Sequence, residues 1–248
     1  MSTAVEEILS NLRVVAAERA QRLKEGELGS RVIALKLYQQ RRFLHTYADL
    51  LQHPRYGAVS HFFLEELYSP KDFTQRDEQF ARVVPGMVRL FPIDVVETVA
   101  ALAQLHALSE TLDSAMGSKL ERLPIDKKEY VHAWQATGRH RDRELQVDLT
   151  LDVAHRLDRL TTRTLLRNSL RLMRAPARAA GLSQLQQFLE SGFDIFREMK
   201  GAGEFIEIVR SREHALASAL FEMKLAMMHE PSFGLASSLL PGQIVEPR

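Results

Sequence analysis

The stretch His61–Pro92, HFFLEELYSPKDFTQRDEQFARVVPGMVRLFP, decides the fold. It sets five Phe, one Tyr and three Pro among alternating acids and bases within thirty-two residues. Phe62, Phe63 and Leu67 recur at helical spacing, and Ser69-Pro70 stops that run, because the residue before a proline avoids helical backbone angles. Asp72 then stands as a cap with Gln75 at the reciprocal box position, so a new helix follows at once. Pro85 and Gly86 predict a second interruption. Pro92 suits the first turn of the next helix. The stretch predicts helix, sharp turn, capped helix and turn, with no strand.

The same reading extends in both directions. Val5, Ile8, Leu9, Leu12 and Val15 place one apolar face on a first helix, about Thr3 to Lys24, which Gly26 and Gly29 are expected to end. Ser30 is expected to cap a second helix running to Pro54. A shorter helix follows Gly57. Beyond Pro92 the spacing predicts helices to Met116, from Asp126 to Thr137 with Asp126 and Glu129 as a capping box, from Arg139 to Leu160, and from about Arg163 to Ala175. Ser183 and Gln186 open another, with Phe188, Phe193 and Phe196 inside, and Gly201 and Gly203 separate it from a last long helix. The expected fold is all-α: a single-domain multi-helix bundle of about ten helices without a sheet, spanning residues 1–229. Residues 230–248 read as a flexible tail. No internal repeat or long linker divides the chain.

Composition narrows the function classes. The chain has 248 residues, 45% hydrophobic and 26% charged, with a formal net charge of +1. That balance gives no global pull toward nucleic acid or membrane, so any such pull must be local. There is no cysteine, which excludes disulfides, thiolate ligands and Cys nucleophiles. Glu6 and Glu7 stand where a signal peptide would carry positive charge, and the most apolar long segment, Ile93 to Leu112, is broken by charged residues. The expectation is a cytoplasmic protein without a membrane span. No Gly-rich phosphate loop, G-x-S-x-G elbow or H-E-x-x-H is present.

The pattern FFLEELYSPKDFTQRDEQFARVVP, followed by MVRLFP, resembles an uncharacterised all-helical family of bacterial proteins in which Phe-Phe-Leu, the acid pair, Leu-Tyr, Pro, Asp-Phe and Arg-Asp recur. The segment FLESGFDIFREMKGAGEF resembles a further part of it. The resemblance covers most of the chain and implies an all-α fold and a bacterial origin. It carries no activity, cofactor or catalytic residue.

Three constellations remain. Between Asp158 and Glu190 there is no acid, while Arg163, Arg167, Arg171 and Arg174 follow at helical steps. Such a ridge of guanidinium forks suits phosphate or carboxylate, and equally suits pairing with acidic helix faces inside the bundle. Phe63, Tyr68, Asp72, Phe73 and Arg76 gather at the mouth of the aromatic turn, where they wall a pocket or simply serve as core beside a cap. Glu129 with His132 and Asp152 with His155 have the i, i+3 spacing of helical di-iron sites. With nine His and 32 acids, however, such pairs arise near chance. The expected function is therefore a non-enzymatic interaction or regulatory protein using helix faces. An acidic or otherwise anionic partner is possible through the Arg ridge, nucleic acid is not favoured, self-association is expected and no cofactor is implied. The alternative is a helical metal-dependent oxidase of di-iron type.

Overall fold

The computed structural model describes residues 2–66, 68–223 and 240–241. Among these, every regular element is a helix: α1 (Ser2–Lys24), α2 (Gly26–Thr46), α3 (Ala48–Leu51), α4 (Gly57–Glu66), α5 (Thr74–Leu90), α6 (Ile93–Gly117), α7 (Lys127–Thr137), α8 (His140–Thr161), α9 (Thr164–Leu172), α10 (Arg174–Ala179), α11 (Ser183–Glu198) and α12 (Gly203–Glu222). The chain is all-α, as its helical periodicity implies.

Local sequence accounts for several boundaries. Asp126 caps α7, its Oδ1 accepting from the Glu129 backbone N–H at 2.8 Å. Gly138 ends α7 at φ +62°, a left-handed conformation that L side chains resist. Asp72 Oδ1 accepts from the Thr74 N–H at 2.9 Å, so the aspartate opens α5 from two residues upstream.

Helix α1 ends at Lys24 as expected, and after Glu25 alone α2 starts at Gly26. Four other boundary expectations are corrected. Gly29 lies inside α2, where a Cβ would stand 2.9 Å from the Arg22 carbonyl oxygen, so glycine permits the close α1–α2 turn. Ser30 is then no cap, and its hydroxyl donates back to the Gly26 carbonyl at 3.0 Å. Pro85 sits within α5, costing it one backbone bond without breaking it. The helix expected over Arg163–Ala175 is divided at Met173, and Pro176 falls in the first turn of α10, where its missing N–H is tolerated.

Among the described residues the core has three clusters. One joins Leu35, Tyr38, Met116, Tyr130, Trp134 and Leu216. A second joins Phe43, Tyr47, Leu151, Phe196, Phe205 and Ile206. A third, around Ile8, Leu12, Val84 and Val96, holds α1 to α5 and α6. The expected tail lies almost wholly outside the described residues, but Leu240 is described and is buried in the first cluster.

Helix α8 sits between two antiparallel neighbours. Arg143 meets Met116, Gln146 meets Ser109 and Arg156 meets Glu97, so α8 runs against α6. Asp158 accepts from the Ala202 N–H, while His214 approaches Asp148, so α8 also runs against α12. Residues of α8 at steps of three and four therefore face the space that α6 and α12 enclose.

Candidate functional site

That space is a cavity of about 240 Å³. An apolar cavity of ~150 Å³ is enough to hold a benzene-sized molecule, so this one can hold a small organic ligand. One wall is apolar: Phe63, Phe73, Phe188, Phe205, Leu151 and Ile206 contribute rings and branched side chains. Phe63 stacks on Phe205 with centroids 5.9 Å apart and meets Phe196 edge-on at 6.0 Å.

The rest of the wall is charged and mostly paired. Arg42 donates to Glu213 at 2.6 Å, and the Tyr47 hydroxyl donates to the same carboxylate at 2.7 Å. Arg76 donates to Glu66 at 2.6 Å and lies over the Phe73 and Phe188 rings, 4.0 and 4.4 Å from their centroids. Asp77 takes Arg19 at 2.9 Å and His106 at 3.0 Å. Glu110 gathers Arg22, Lys36 and Arg19. Burial would raise its pKa, but those three cations outweigh burial and bring it down to about 2. Burial pushes the Tyr68 hydroxyl up to about 12, with the Glu213 charge adding to the effect, so it stays protonated.

Four buried groups on this wall lack what their neighbours have. The Ser60 hydroxyl, Arg42 Nε and Trp134 Nε1 have no hydrogen-bond partner among the described residues. Arg143 is 5% exposed and has no carboxylate within ion-pair distance among them. Its guanidinium lies 4.1 Å over the Trp134 ring and donates to Gln146 Oε1 at 3.0 Å. Burial pulls its pKa below the ordinary value. Buried polar groups are nearly always paired, so each of these four departs from the usual pattern.

Of the aromatic-turn residues, Phe63, Tyr68, Phe73 and Arg76 all line the cavity. Asp72 is exposed and turned to its cap, where hydrogen bonds from Thr74 hold its carboxyl below the usual range. The four arginines of the ridge lie on the α9–α10 side. Arg163 pairs with Asp94 at 2.5 Å, Arg167 with Asp194 at 2.6 Å and Arg174 with Glu190 at 2.7 Å. Arg171 is exposed. The partners come from α6, which contributes Asp94, and from α11, which contributes Asp194 and Glu190.

Glu129, His132, Asp152 and His155 are not gathered into a site. The Glu129 carboxylate accepts from the Glu121 N–H at 2.6 Å and pairs with Arg122, while Asp152 pairs with Arg156 at 2.7 Å. Among the described residues no group of three or more His, Asp or Glu could hold a metal ion.

Arg143, Trp134, Ser60 and Arg42 escape sequence reasoning because four helices bring them together. One signal was available: Arg143 shares a register with Val147, Leu151 and Ala154, which places a cation in the apolar stripe of α8.

The fold and cavity define a helical protein with charged and aromatic groups converging on an interior, ligand-sized void. The chain belongs to the family described as Domain of unknown function (DUF8198), whose model matches residues 18–226. No curated protein and no solved structure matches it.

Proposed function

We propose that the protein is a non-enzymatic regulatory or interaction protein that responds to a small organic molecule bound inside its bundle. The observation that carries this reading is the central cavity, ringed by aromatic side chains and lined by Arg143, a buried cation with no carboxylate within ion-pair distance among the described residues. A void left for packing reasons is normally apolar and dry, whereas this one is lined by charged side chains as well as rings, Arg143 among them. The pairs at its edge, Arg42–Glu213 and Arg76–Glu66, tie α2 to α12 and α4 to α5, so an occupant borders elements far apart in sequence. The test is fluorescence titration with anilinonaphthalene sulfonate, an aromatic anion. Binding is expected, and it should be lost in Ala154→Phe, which fills the cavity from α8. Equal binding by Ala154→Phe would place the dye elsewhere and count against this reading.

A second reading concerns the outer face. Helix α9 buries no residue, and Leu165 and Leu172 are 81% and 78% exposed beside Arg167 and Arg171. An apolar and cationic face of this kind supports docking of an acidic partner protein. Ile33, Leu37 and Leu44, exposed along α2, support self-association, which sedimentation velocity tests. No helix among the described residues is long and apolar enough to cross a membrane. A cytoplasmic location and a bacterial source accord with the lack of cysteine and the family resemblance, and fractionation of the host cell tests the location.

A further inference from the structure

The polar end of the cavity narrows the ligand's chemistry. Five carboxylates line the cavity and five cations pair with them: Glu66 with Arg76, Asp77 with Arg19, Glu110 with Arg22, Arg19 and Lys36, Asp113 with the same Lys36 at 3.7 Å, and Glu213 with Arg42. Arg143 is the cavity-lining cation left over among the described residues. Asp113 is the acid whose charge reaches it, but it lies beyond ion-pair distance and already serves Lys36 and Gln39. An arginine stays charged in proteins, so its charge must be met by something other than deprotonation. The Trp134 face meets part of it, and the guanidinium keeps N–H groups beyond those given to Gln146 and, at 3.5 Å, to the Met116 sulfur.

We infer that the cavity takes an organic monocarboxylate, with its carboxylate on Arg143 and its apolar body lying along α8 toward Phe205. A planar fork of donors matches two carboxylate oxygens. One unmatched cation balances one negative charge and leaves a phosphate dianion uncompensated. The body follows from the register: Val147, Leu151 and Ala154 succeed Arg143 on the same face of α8, and Leu151 and Ala154 pack in the cluster that holds Phe205 and Ile206. This inference rests on the cavity reading above and adds the ligand class to it.

The experiment uses the unmodified protein and matched probes that differ only in the head group: 3-phenylpropionate, 3-phenylpropanol and 3-phenylpropylamine, with hexanoate, hexanol and hexylamine as a second body. Trp134 is the only tryptophan in the chain, so intrinsic fluorescence reads occupancy at the head-group end. The acids are expected to bind at least tenfold tighter than the alcohols, and the amines weakest. Arg143→Gln should remove the preference for acid over alcohol while leaving the alcohol affinity within a few-fold. Arg143→Lys should retain part of the preference, and serves if the glutamine variant fails to fold. Equal affinity for acid and alcohol would overturn the carboxylate inference and leave the cavity reading standing. A preference for the amines would do the same. Failure of all six probes to bind would overturn both.

Discussion

The Arg42 guanidinium and the Glu213 carboxylate meet at 2.6 Å with side chains only 6% and 16% exposed, tying α2 to α12 at the edge of the cavity. Burial lowers the pKa of Arg42, but Glu213 more than restores it and holds the arginine above its ordinary range. Glu213→Ala would leave Arg42 charged and unpaired inside the bundle. The expected loss is about 3–5 kcal/mol, read from urea unfolding. Arg42→Met combined with Glu213→Leu should recover most of that loss, because an apolar pair has no desolvated charge to compensate. A double variant no more stable than Glu213→Ala would show that the pair does more than neutralise itself.

Glu110 makes folding sensitive to acid. Its folded pKa, about 2, lies below the ordinary 4.5 because Lys36, Arg22 and Arg19 overcome the opposing effect of burial. A carboxylate depressed on folding stabilises the protein above its unfolded pKa, and that contribution disappears as pH falls toward the folded value. The window is therefore about pH 4.5 down to 2, and the depression corresponds to about 3 kcal/mol. Glu110→Gln should be less stable at pH 7, and its stability should fall less steeply over that window. Unchanged steepness in urea midpoints measured from pH 5 to pH 3 would assign the acid limb to other carboxylates.

Phe63 and Phe73 should differ. Phe63 has ring partners on two other helices, Phe196 and Phe205, so Phe63→Ala should cost about 3 kcal/mol. Phe73 is half-buried beneath Arg76 at the start of α5, and Phe73→Ala should cost only about 1 kcal/mol, the scale of a cation–π contact. Equal losses would mean that Phe73 is packed as core.

The helices were legible because apolar residues recur at 3.6-residue spacing over long runs, and packing rewards that pattern wherever it occurs. Punctuation was less reliable. Gly29 and Pro85 look like breaks, yet tertiary contacts use the first as a point of close approach and carry α5 through the second. Half of the site was legible as well. Phe63, Tyr68, Phe73 and Arg76 reach the cavity because one turn holds them together. Arg42, Ser60, Trp134 and Arg143 come from α2, α4, α7 and α8, and no local pattern records which helices will adjoin.

The arginine ridge tests how exposed ion pairs behave. Arg167 and Arg174 each hold an acid of α11 at the surface, where solvent screens the charges. The Arg167→Ala, Arg174→Ala double variant should melt within a degree or two of the parent. Elution from heparin should shift little, since both guanidinium groups already have carboxylate partners. A marked fall in the eluting salt concentration would identify the ridge as a phosphate-binding surface.

Ser60 offers the sharpest separation of folding from function. Its hydroxyl is fully buried on α4, has no partner among the described residues and lines the cavity. In the ligand-free protein such a group has lost its water without gaining a hydrogen bond, which costs about 1–3 kcal/mol. Ser60→Ala removes that cost, leaves only a small void and favours the helix. The variant should therefore be more stable than the parent by about 1 kcal/mol when empty. Filling the cavity with 3-phenylpropionate, whose carboxylate lies on Arg143, should leave that advantage unchanged. Thermal unfolding with and without saturating 3-phenylpropionate measures both quantities. A Ser60→Ala protein less stable than the parent in both states would mean that the hydroxyl finds its partner within the protein.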